Sequence, residues 1–147
     1  MADLQAERLY AAENSTRCFS DPRCYLGTMS ATANFLGEVV RAEWFRERWP
    51  TMEDVRIRLL DGRGCQSGWA RADGTISLPT WARRKLVVLH ELAHVVTWQH
   101  YGLDQPAHGR KFAWVYLELV RRVLGKEAAR ELRRAFRVQG VRCRRRK

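Results

Sequence analysis

From Trp81 to Tyr101 the chain carries Leu86, Val87, Val88, Leu89, Leu92, Ala93, Val95, Val96 and Trp98 with little polar surface between them. A helix apolar on every side must lie at the centre of its fold. Thr80 is a plausible N-cap for it, and Gly102 supplies a C-cap. Set into this segment is His90-Glu91-Leu92-Ala93-His94, an H-E-x-x-H pattern. A four-residue step turns about 40° net and rises about 6 Å along a helix, so both imidazoles face one side from adjacent turns. They can hold one divalent ion there. Glu91 follows His90 around the helix and can take a proton from water on that ion. Its neighbours three and four residues away are Val87, Val88, His94 and Val95, with no Lys or Arg to make it a surface pair. A carboxylate and two imidazoles in an apolar helix need compensation, and a Zn2+ ion is the simplest.

The other two histidines, His100 and His108, compete for a third coordination position. His100 has the spacing of the metzincin pattern and of the YbeY-type RNases, but Thr97 stands where those patterns need a helix-breaking glycine. On a continuous helix His100 points about 120° from His94 and lies about 9 Å further along. All three methionines, Met1, Met29 and Met52, precede the motif, so no Met-turn follows it. His108 is the stronger candidate, because Gly102 and Pro106 let the chain reverse before the next helix begins near Gly109. Glu118 is the runner-up, as a downstream helical carboxylate. Three ligands leave a catalytic zinc ion one open position.

The pairing of His90-Glu-x-x-His94 with His108-Gly109-x-x-Phe112 resembles the SprT-like (Spartan-type) zinc metallopeptidases. It is also similar to small actinobacterial and phage-borne metallohydrolases, which share a stretch like Arg8-Leu-Tyr-Ala-Ala-Glu13. The resemblance covers about residues 30–125. It implies an α+β, minimal zincin-like fold, with a small antiparallel sheet of about three strands against the active-site helix and two or three further helices. It also implies His90, His94 and His108 as zinc ligands, Glu91 as general base, and a protein or peptide substrate. In zincins the strand before the active helix binds substrate backbone at a sheet edge, which by position is Thr75 to Leu78. Trp69 and Trp81 are candidates for the cleft wall, although core packing is favoured for both. Tyr101 and Tyr116 are candidate oxyanion donors by residue type alone. The four-cysteine ribbon of many SprT proteins is missing here, so its DNA targeting does not carry over.

The remaining elements follow from periodicity. Ser30 to Trp49 has apolar residues at helical steps and stops at Pro50. Val55 to Leu59 alternates like a half-buried strand, and Trp69–Arg71 and Thr75–Leu78 flank an Asp73-Gly74 turn. Helices follow from about Gly109 to Leu124 and from Lys126 to about Val138; residues 1–27 are hard to place. One domain over 1–138 and a basic tail at 139–147 are expected, the tail with nothing to pack against. The formal net charge is +11, but Arg121–Lys147 alone holds 12 basic and 2 acidic residues, leaving the rest close to neutral. Arg133, Arg134, Arg137, Arg142, Arg144, Arg145, Arg146 and Lys147 are therefore a candidate handle for DNA or RNA. No apolar run is long enough for a membrane span. Four scattered cysteines suit reduced thiols in a cytoplasmic protein. The alternatives to a peptidase are a nucleic-acid-binding metallohydrolase and a non-catalytic zinc module.

Overall fold

The computed structural model describes Asp3 and residues 5–143; the basic positions 144–147 lie outside the described residues. The class is α+β, with seven α-helices and one small three-stranded sheet among the described residues. The apolar segment forms α5 (Lys85–Tyr101), buried without interruption from Leu86 to Thr97. Labelled in chain order, the other helices are α1 (Ala6–Ser15), α2 (Arg17–Ser20), α3 (Met29–Arg41), α4 (Glu43–Arg48), α6 (Arg110–Leu124) and α7 (Lys126–Gln139). No described helix is long and apolar enough to cross a membrane.

Within the segment left unplaced by its sequence, Ala6–Ser15 and Arg17–Ser20 are helical, and the first of these helices packs in the core. α1 buries Leu9, Ala12 and Glu13 and lies against α7, whose Leu132 and Phe136 are also buried. The expected helix over 30–49 is broken at Ala42, whose backbone is extended. That bend starts α4 on a new axis and sinks Phe45 and Trp49, four residues apart, into the core. The active helix starts four residues later than expected. Thr80–Ala82 is a single 3-10 turn, and no side chain caps α5 at Arg84. Arg83 is the reason for the delay. Its buried guanidinium binds Asp61 at 2.6 Å and reaches the carbonyls of Gly27 and Leu78, which demands an extended approach to the helix.

The sheet is mixed rather than antiparallel. Its strands are β1 (Arg58–Asp61), β2 (Trp69–Ala70) and β3 (Thr75–Leu78), in the order β1-β3-β2. The Asp73-Gly74 turn joins β2 to β3 antiparallel as expected, while β1 lies parallel to β3 from Arg58↔Thr75 to Asp61↔Leu78. The connection after β1 therefore has to pass over the end of β3. Gly62 makes the passage, because a Cβ there would stand 2.8 Å from the Leu78 and Pro79 backbone. Thr75–Leu78 is thus the central strand, buried throughout and paired on both sides, and offers no edge to a substrate.

The end of the chain also departs from expectation. Val141 is buried, Cys143 packs against the core, and the Arg142 amide donates to Gln5 Oε1. The same Gln5 donates to the His108 carbonyl at 2.9 Å, so the N-terminal helix ties the C-terminal segment to the loop before α6. Replacing the fully buried Leu9 with Ala is expected to cost about 2–5 kcal/mol by leaving a cavity between α1 and its neighbours. Urea denaturation of the purified variant measures it.

Candidate metal centre

Two elements bring three imidazoles together. α5 presents His90 and His94 from adjacent turns, and the loop ahead of α6 returns His108 to the same point. All three rings are buried, and one ligand atom from each lies within 4.8 Å of the others. His90 Nε2 and His108 Nε2 are 3.3 Å apart. The other two candidates are elsewhere. His100 is on the unbroken end of α5, its ring against Tyr101, and Glu118 is held by Arg48 through hydrogen bonds of 2.8 and 2.7 Å.

Each of the two close imidazoles is oriented by a carboxylate. His90 Nδ1–H donates to Glu13 Oε2 at 2.6 Å, and His108 Nδ1–H donates to Asp3 Oδ2 at 2.5 Å. A carboxylate only accepts, so both Nδ1 atoms carry protons and both Nε2 atoms can offer lone pairs. Two lone pairs 3.3 Å apart repel unless a cation lies between them. One such cation is a proton on His90; a metal ion shared by all three rings is the other. Tyr116 completes the support, its hydroxyl donating to Glu13 Oε2 at 2.7 Å with the Leu86 carbonyl at 3.2 Å.

The electrostatics agree with that choice. Burial pushes His90 toward neutrality, but Glu13, Glu91 and Asp3 outweigh it and favour its protonated form. His94 and His108 are held below the ordinary imidazole value, first by burial and then by a charged His90. Burial also raises Glu91, against the pull of His90. Glu91 Oε1 is 3.9 Å from His90 Nε2, while Glu91 Oε2 and His94 Nδ1 are buried without a hydrogen-bond partner of good geometry. Buried and unpartnered polar atoms are costly. Here they sit beside three convergent imidazoles and two fully buried carboxylates, Glu13 and Glu91, a donor set that fits a divalent cation.

The flanks of the site differ from expectation. Trp81 is 47% exposed and donates its indole N–H to the Gln66 carbonyl, pinning the glycine-rich loop instead of entering the core. Trp69 is half-buried in β2, with Arg71 over its ring. Gly68, next to Trp69, comes so close to the site that a Cβ there would be 3.8 Å from Glu91 Cδ. Tyr116 is committed to Glu13, and Tyr101 lies about two turns beyond His94, so neither is placed as an oxyanion donor. Asp3, Tyr10 and Glu13 are the participants that sequence reasoning missed. The available signal was Tyr10 and Glu13 at i, i+3 on one helix face, inside the stretch that carried the resemblance.

No family model matches the chain, and no curated protein or solved structure matches it.

Removing the charge behind His90 with Glu13→Gln is expected to weaken binding of a divalent metal ion at the three histidines about 10- to 100-fold, read by competition with a chromogenic chelator. The same competition followed against pH should show affinity falling as the pH is lowered, because imidazoles ligate only when neutral. The fall should set in above the ordinary imidazole range, since the upward-shifted His90 is the first of the three to take up a proton.

Proposed function

We propose that the protein is a zinc-dependent metallopeptidase. The observation that carries this reading is the meeting of His90, His94 and His108 beside the unpartnered Oε2 of Glu91. Three nitrogen donors suit zinc and leave a position for chemistry. A zinc ion held there would supply an electrophile that acidifies water and polarises a substrate carbonyl. The protein's own residues do the rest. Glu91, kept dry and with its carboxyl raised by burial, takes a proton from the attacking water and returns it to the leaving amine. Glu13 and Asp3 hold the His90 and His108 rings in the tautomer that leaves Nε2 free to ligate.

An extended polypeptide is the substrate class that a sheet edge beside Glu91 would suit best. β2 is an edge strand of the sheet, and Gly68 at its start borders Glu91. A substrate strand added to β2 would run past the catalytic carboxylate, a role the central β3 cannot take. Glu91→Gln tests the assignment. The variant is expected to retain one zinc per chain while peptide-library turnover falls by about 10²- to 10⁴-fold. Unchanged cleavage overturns the peptidase reading, and a zinc-loaded native protein that cleaves nothing favours the non-catalytic zinc module.

A second reading concerns where the activity is directed. Arg130, Arg133, Arg134 and Arg137 are all exposed on α7, spaced i, i+3, i+4, i+7 on the face opposite Leu132 and Phe136. Exposed Arg142 continues the basic surface. Such a stripe suits a phosphate backbone and would place the peptidase on DNA- or RNA-associated proteins. Changing the four helical arginines to Gln together should lower the slope of log affinity for duplex DNA against log salt by about 3–4. Absence of binding by the native protein at low salt removes this second reading and leaves the first intact.

A further inference from the structure

Tyr10 stands at the mouth of the metal centre with an unusual set of neighbours. Its ring is stacked on His90, 5.6 Å between centroids and 8° from parallel, and meets His108 edge-on at 5.2 Å. Its hydroxyl is 3.4 Å from His108 Nε2, the same atom that lies 3.3 Å from His90 Nε2. Donors held at about 2.0–2.1 Å by one tetrahedral ion are separated by about 3.3–3.4 Å. The Tyr10 oxygen therefore stands from His108 Nε2 at the spacing that two such donors keep.

The hydrogen bond that Tyr10 makes without a metal cannot persist with one. The His108 lone pair would then belong to the ion, and the Tyr10 hydroxyl would lose its acceptor while remaining beside the same atom. We propose that the phenolic oxygen of Tyr10 is a fourth metal donor in the resting protein. It would close the position that hydrolysis needs open. This inference rests on the metal centre of the proposed peptidase and adds a gate to it. Tyr10 is 43% exposed, so its ring borders solvent and has room to swing away. Once displaced by an incoming peptide, the phenolate would take a proton from the bordering solvent, and its O–H could then donate to the substrate carbonyl oxygen, the task for which neither Tyr101 nor Tyr116 is placed.

The test reads the metal rather than turnover. The full chain and Tyr10→Phe are each loaded with Co2+, and the visible absorption bands are recorded during titration with azide. Phe keeps the ring stacking and loses only the oxygen, so one ion per chain is expected in both. Loss of the tyrosine donor should change the Co2+ bands and tighten azide binding by about tenfold, because azide no longer competes with a protein ligand. Identical bands and identical azide affinity overturn the proposal.

A second measurement stands if Tyr10→Phe does not fold. The unaltered protein loaded with Cu2+ should show a phenolate-to-copper charge-transfer band, whose absence also overturns the proposal. Peptide digestion by the native zinc protein separates the two levels. Cleavage with Tyr10-independent spectra removes the gate alone. Tyr10-dependent spectra without cleavage sustain the fourth donor and count against the peptidase.

Discussion

Two imidazole nitrogens 3.3 Å apart, each on a ring whose opposite N–H is committed to a carboxylate, form an arrangement that only a cation can relieve. Much of the architecture serves to hold those two nitrogens there. α5 supplies a rigid, fully buried platform for His90, and the loop bounded by Gly102 and α6 brings His108 back over it. Glu13 of α1 and Asp3, just ahead of that helix, then fix the two rings from the outside. Rotation of either ring would break a short, charge-assisted hydrogen bond, so the convergence is built into the fold before any ion arrives.

This gives the N-terminal helix a part in the site that its position in the chain conceals. Leu9 and Ala12 anchor α1 in the core, and α1 packs on the basic helix α7 while its Glu13 holds His90. Tyr116 of α6 reaches the same Glu13 carboxylate as His90, so three helices share one buried acid. A mutation in α7 that loosens α1 would therefore be felt at the imidazoles without touching them. The sheet has a narrower task. Arg83, bonded to Asp61 and Leu78, locks its three short strands to the start of α5, and Gly68 at the head of β2 lies beside Glu91.

The three-histidine cluster was legible because its signal is local. His90, Glu91 and His94 are placed by helix geometry alone, and the unbroken stretch through Thr97 already excluded His100. Selecting His108 over Glu118 needed only the chain reversal at Gly102 and Pro106. Elsewhere local pattern was insufficient. Periodicity could not show that Ala42 bends the first long helix, since residues on both sides of it keep helical spacing. Alternation over Val55–Leu59 overlaps β1 only at Arg58 and Leu59 and did not show its neighbour, and the parallel pairing of β1 with β3 made Thr75–Leu78 central instead of exposed. The core packing favoured for Trp81 failed for the same reason, because the loop it grips is positioned by the crossing over β3.

Sequence alone determined the helical platform, the placing of His90, Glu91 and His94 upon it, and the turn residues that return His108, since each depends on contacts within a few residues. Tertiary structure alone decided that Asp3, Tyr10 and Glu13 close around those histidines across some eighty to a hundred positions of chain. It also decided which sheet edge faces Glu91. Such pairings follow from how whole faces pack, and a short run of residues holds no record of the face it will meet.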